Sequence, residues 1–156
     1  MIFQVKYPVA LAAIFIWIGF VAAISFMEAW LKFRAPGITV PLGLGIGRLV
    51  FSALNKVEWV LLLCVLINLI FFNKSANNSP FILVSIPIII LLLQTFWLLP
   101  ALDARAALHI KGAFVPPSKL HVYFIFVEFI KLIMLLWLGS SFFEKQNKIH
   151  LNHSYN

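Results

Sequence analysis

Four carboxylates in apolar surroundings are the groups of this chain best placed to do chemistry. Of its five acids, Glu28, Glu58, Asp103 and Glu128 lie inside or at the ends of long hydrophobic runs. Bases accompany them: Lys131 follows Glu128 by three residues, His121 precedes it by seven, and Arg48 and Arg105 stand near run ends. Asn55 and Gln94 add amides within the runs. An ionised side chain at the centre of a membrane helix costs about 2.5–3.5 kcal/mol on insertion scales, so such groups must find partners. Residues i and i+3 meet on one helix face, and a Glu128–Lys131 ion pair is expected. Failing that pair, Lys131 needs an acid from another helix, with Glu58 and Glu28 as candidates. Carboxylates, amides and bases gathered at one level of a membrane bundle suit a cation, a proton or a small polar ligand.

Other chemistries find less support. His121 with Glu128, Glu58 and Asp103 offers one nitrogen and several oxygens, a set suited to a hard or borderline divalent ion. The Glu-x-x-His motif of di-iron bundles is missing, as is any His-x-x-x-His, so no metal site is assigned. Outside the tail, His109 and His121 are the only candidates for haem ligation. Glu128 and His121 are also the natural acid–base pair. Yet no nucleophile elbow, P-loop or paired-carboxylate motif accompanies them, and no motif specifies a cofactor. An enzyme acting on a lipid or isoprenoid remains a rival reading with no residues assigned to catalysis. Cys64 has no partner for a disulfide or a zinc site and reads as a small buried hydrophobe.

The elements that must carry these residues follow from composition. With 63% hydrophobic and 11% charged residues and a mean hydropathy of +1.02, the 156-residue chain belongs to the membrane class. Four stretches reach the roughly 20 apolar residues a spanning helix needs: about 8–30, 48–72, 80–106 and 118–143. The expectation is an all-α integral membrane four-helix bundle followed by a polar tail, 144–156, read as frayed. The first stretch passes into Phe26, Met27 and Glu28 without a small-x-small cleavage pattern, so it reads as a retained span. Pro8 and Pro80 suit first turns. Kinks are expected near Pro87 and Pro100, and Pro116-Pro117 breaks the chain before the last span. On these bounds Glu28 ends the first helix and Asp103 closes the third. Glu58 and Glu128 lie two to three turns into the second and fourth, with Asn55 one turn before Glu58 and Gln94 deeper than Asp103. All four helices thus send a polar group toward loops one and three, where a cavity among Glu58, Asp103, His121 and Glu128 is expected.

The net charge of +7 comes from basic residues standing singly in the connections, as lipid-headgroup contacts and topology signals do. Nucleic acid is therefore not an expected partner; the bilayer is. Lys32, Arg34, Arg48, Arg105, Lys111 and Lys119 share the side of loops one and three, against Lys6, Lys74, Lys145 and Lys148 opposite. This bias puts loops one and three in the cytoplasm and both termini outside. The composition suggests a bacterial inner membrane, where sequon matches such as Asn73-Lys74-Ser75 carry no meaning. Gly43, Gly45 and Gly47 read as a tight return of the chain before the second helix. Gly19 and Ala23 form a small face for close helix contact, within the bundle or in a homodimer. Trp30, Trp59, Trp97 and Trp137 read as interfacial anchors and Trp17 as packing.

The run Leu98-Leu99-Pro100-Ala101-Leu102-Asp103-Ala104-Arg105-Ala106, followed by Ser118-x-x-His121, resembles the transmembrane-protein-205-like family of small four-helix membrane proteins. Phe33-x-Ala35-Pro36 and Gly47-Arg48-x-x-Phe51 are similar to it as well. The resemblance implies the four-helix architecture, draws attention to Asp103, Arg105 and His121, and implies no reaction. Tyr123-x-x-x-x-Glu128-x-x-Lys131 departs from the less charged last helix the family would have. Two main readings therefore compete. In one, a polar pocket near the cytoplasmic face serves transport or sensing, alone or as a homo-oligomer. In the other, an accessory protein uses buried charges only to fix helix order, alone or with another membrane protein.

Overall fold

Tyr7-Pro8 begins the first helix: proline at the first turn loses no hydrogen bond, because that N–H has no intrahelical acceptor. A computed structural model of the chain describes residues 3–72 and 79–145. Its four long apolar helices are α1 (Pro8–Arg34), α2 (Val40–Phe72), α3 (Pro80–Ile110) and α4 (Leu120–Ser140). α1 and α3 each pack on α2 and α4, so the helices form a closed ring of sequential neighbours, an integral membrane four-helix bundle. The inner face of α1 follows helical periodicity, with Ala10, Ala13, Ile14, Trp17 and Val21 all buried. Leu62, Val65 and Leu69 of α2, Val84 and Leu91 of α3, and Leu135 and Leu138 of α4 complete this core. Phe15, Phe20, Ile67, Phe71, Ile89, Phe126 and Leu136 point outward, as bilayer-facing residues do, and so does Cys64, which is exposed and not buried as expected.

α2 begins eight residues before the boundary expected at Arg48. Thr39 Oγ1 accepts the Leu42 N–H at 3.4 Å and Pro41 occupies the first turn, a cap and a proline that outweigh the glycines. Gly43 and Gly47 are therefore helical. A Cβ on Gly43 would collide with the Phe33 ring, and one on Gly47 would lie 2.8 Å from Lys32 Nζ. Their role is to let α2 pass close to the end of α1. Gly19, by contrast, meets nothing within 4 Å and takes no part in packing within the chain. Between α1 and α4 the glycine at the helix contact is Gly139, whose Cβ position lies 3.4 Å from Ile14.

α3 runs unbroken through Pro87, whereas a π-helical stretch, Gln94–Leu98, precedes Pro100. A proline ring crowds the carbonyl four residues back, here Phe96, and the wider turn relieves that clash. α1 also widens, over Ala22–Glu28. α3 ends on Gly112 at φ +72, and the Arg105 guanidinium ties loop three down by donating to the Pro116 carbonyl.

Two short strands, β1 (Phe3–Val5) and β2 (Phe143–Lys145), pair antiparallel. The start of the tail is thus ordered, not frayed, because four helices return both ends of the bundle to one face. Phe142 seals the ribbon edge-on against Tyr7 with ring centroids 5.1 Å apart. The sequons at Asn73, Asn77 and Asn152, with Lys74 and Lys148, lie outside the described residues.

Asn68 supplies a cap that crosses between helices. Its Oδ1 accepts the Ala10 N–H in the first turn of α1 at 3.2 Å. That donor has no intrahelical acceptor. Asn68→Leu is expected to cost about 1 kcal/mol, the usual worth of an N-cap. Thermal unfolding in detergent checks this; a loss near zero would show that lipid or water takes over the bond.

Candidate functional site

Lys131 is the centre of the buried polar site. At 1.5 Å per residue it stands about 16 Å along α4 from Leu120 and about 14 Å from Ser140. That is near the middle of a hydrocarbon layer about 30 Å thick. The side chain has no exposed surface, so its three N–H donors must all be met by protein. Nζ bonds Glu58 Oε1 of α2, bonds Gln94 Oε1 of α3 at 2.8 Å, and lies 3.1 Å from Glu128 Oε2 of its own helix. Trp17 of α1 completes the ring, donating from Nε1 to Glu58 Oε1 at 2.8 Å. Three helices meet at the ammonium, and the fourth joins them through Glu58.

The charges do not balance. Two carboxylates, Glu58 and Glu128, face a single cation. Glu128 is fully buried, and its approach to Lys131 satisfies distance but not hydrogen-bond direction. Neither oxygen accepts a well-directed hydrogen bond, although the Lys131 ammonium and the Gln94 amide both stand against the carboxylate. Gln94 opens the wide turn before Pro100, so the proline helps to set the depth and direction of this amide. In the same turn Thr95 Oγ1 accepts from Asn55 Nδ2 at 2.9 Å and from Trp59 Nε1 at 3.0 Å. Those bonds clamp α3 to α2 beside the site.

A second polar region lies nearer loops one and three, around a cavity of about 720 Å³. Lys32, Arg48, Arg105, His109 and His121 border it, with Asp103 as its one carboxylate. Arg48 grips Asp103 through two bonds, of 2.5 and 2.8 Å. Lys32 Nζ bonds Glu28 Oε2 at 3.2 Å and stands over the Phe33 and Phe51 rings. Between cavity and network lies an apolar level. Val21, Leu54, Leu98 and Phe124 stand one turn from Trp17, Glu58, Gln94 and Glu128 on the cavity side, and all four are buried. Phe124 meets Phe51, which lines the cavity, edge to face at 5.3 Å.

The ten candidate residues therefore separate into groups instead of sharing one chamber. Glu58, Gln94, Glu128 and Lys131 come together at mid-depth. Arg48, Asp103, Arg105 and His121 border the cavity, Glu28 pairs with Lys32, and Asn55 serves the α2–α3 clamp. The expected cavity among Glu58, Asp103, His121 and Glu128 is not formed: Glu58 and Glu128 do not line it. For Glu58 the cause is the early start of α2, which puts it five turns into its helix instead of two to three; Glu128 stands at its expected place along α4, but the buried Phe124 separates it from the cavity. The Glu128–Lys131 pair forms, and Glu58 is the second acid, from another helix. Trp17, read as packing, is a hydrogen-bond donor to the network; its place in a uniformly apolar run held no signal of that. Among the described residues no three of His, Cys, Asp and Glu gather as a metal-holding group.

Compared with family models, curated proteins and solved structures, the chain matches none.

Proposed function

We propose that this is a multi-pass protein of the bacterial inner membrane that binds a proton at its mid-depth network, in transport or sensing. One observation carries the reading. Glu128 is a fully buried carboxylate in excess of the available cation, because it and Glu58 share the one Lys131 ammonium. An ionisable group inside a membrane is costly and is by default a functional candidate. A proton attaches to one Glu128 oxygen, turns the carboxylate into a carboxylic acid and leaves Lys131 neutralised by Glu58 alone. The trio is then uncharged as a whole. A metal ion would need space and several oxygen ligands, whereas the cavity does not extend to these side chains.

The Lys and Arg bias favours loops one and three in the cytoplasm, with the termini outside. The cavity then opens on the cytoplasmic half, and the apolar level of Val21, Leu54, Leu98 and Phe124 separates it from Glu128. Proton access from that side requires Phe124 and its neighbours to give way.

Glu128→Gln tests the reading. The amide copies the shape of a protonated carboxyl and removes the excess charge, so stability should stay within about 1 kcal/mol of the parent. What should vanish is the pH response of the Trp17 emission, taken as the difference between parent and Trp17→Phe. If charges serve only to fix helix order, the outcome reverses: the variant melts early and the residual pH response persists.

A further inference from the structure

The cavity beside loops one and three makes no contact with the mid-depth network, and its lining has a different chemistry. Three permanent cations, Lys32, Arg48 and Arg105, and two imidazoles, His109 and His121, stand against one carboxylate. That carboxylate, Asp103, is already held by both bonds from Arg48. Arg105 uses Nη2 on the Pro116 carbonyl and retains further N–H donors of its guanidinium fork. The remaining wall is apolar, with Phe33, Leu44, Phe51, Leu99 and Leu102 among it. A volume of about 720 Å³ is ample for a ligand far larger than a small ion. Basic groups at one end of a membrane bundle, backed by aromatic and aliphatic walls, match an anion joined to a hydrocarbon chain.

From this geometry we propose that the cavity binds an anionic phospholipid. Arg105, His109 and His121 hold the phosphate, and the Phe33, Phe51 and Leu102 surfaces take the start of an acyl chain. Guanidinium donors pair with phosphate oxygens through charge-assisted, often bidentate bonds. Basic pockets between helices are the usual seats of acidic headgroups. Lys32 contributes field more than contact, since Glu28 and two aromatic rings already engage it. This site stands whether or not Glu128 binds a proton.

The test is native mass spectrometry of the full chain released from nanodiscs of phosphatidylcholine containing a minor share of phosphatidylglycerol. The parent protein should retain phosphatidylglycerol selectively. Arg105→Gln combined with His109→Gln should lower that retention roughly tenfold, the scale of losing one charge-assisted contact. Lys111→Gln combined with Lys119→Gln removes two nearby loop charges that do not line the cavity and should leave retention unchanged. Ser52→Phe, which fills the cavity without altering charge, should lower it as well. Three results overturn the proposal: no selective retention by the parent, equal losses from the cavity and loop pairs, or displacement of the lipid by inorganic phosphate alone. The last would show a site for a free anion, without use of the chain. Far-ultraviolet circular dichroism of each variant ensures that a lost signal reports binding, and Ser52→Phe gives an answer even if the charge variant misfolds.

Discussion

Lys131→Met is expected to lower the stability of the bundle by about 3–5 kcal/mol, the cost of removing one partner from a buried ion pair. The substitution keeps most of the side-chain volume but leaves Glu58 and Glu128 facing each other at mid-membrane without a cation. Glu58 retains the Trp17 N–H, and Glu128 is left with the Gln94 amide beside it. Unfolding in mixed micelles, followed by helical circular dichroism, measures the effect. A companion variant separates charge from packing. With Glu58→Gln and Glu128→Gln added to Lys131→Met, no charge is left uncompensated, and more than half of the loss should return. A single variant as stable as the parent would mean that water or lipid headgroups reach the carboxylates and replace the ammonium.

Trp17→Phe should cost about 1–2 kcal/mol. Hydrogen bonds to charged acceptors contribute about 1.5–3 kcal/mol in soluble proteins. Interhelical bonds in a membrane average nearer 0.6 and reach about 1.7. The upper membrane value applies here because the acceptor is an ionised, buried carboxylate, while the bond from Lys131 stays in place and limits the loss. Trp17→Ala should cost about 3–5 kcal/mol, because a fully buried indole is then replaced by a void. If Phe and Ala prove equally damaging, the hydrogen bond matters and the volume does not. If Phe is neutral, Trp17 is packing alone, and the network involves three helices instead of four.

The polar residues were visible in the sequence; their grouping was not. Four of the five acids could be seen to lie in or beside spans, and the i, i+3 spacing already joined Glu128 to Lys131. One boundary hid the mid-depth position of Glu58, which the sequence reading places toward loops one and three. Three glycines before Arg48 read as loop, although Thr39 and Pro41 carried the correct signal for a helix start. A displacement of eight residues moves a side chain about 12 Å along a helix axis, enough to carry it from the interfacial half to the centre. Arg48 and Asp103 were each identifiable, yet their bond spans 55 positions and depends on how α2 and α3 are rotated.

The sequence by itself determined the four-helix membrane architecture and the existence of charges that need partners within it. Both are local consequences: a run of about 20 apolar residues must form its own backbone bonds in lipid, and an ionisable residue within it is costly wherever the other helices lie. Only the tertiary structure decided that Lys131 is shared by two acids, that Trp17 joins them, and that Asp103 and His121 belong to a separate cavity. Those outcomes depend on the rotation and relative depth of four packed helices. Hydropathy is nearly blind to both, because a lipid-facing side and a core-facing side are equally apolar.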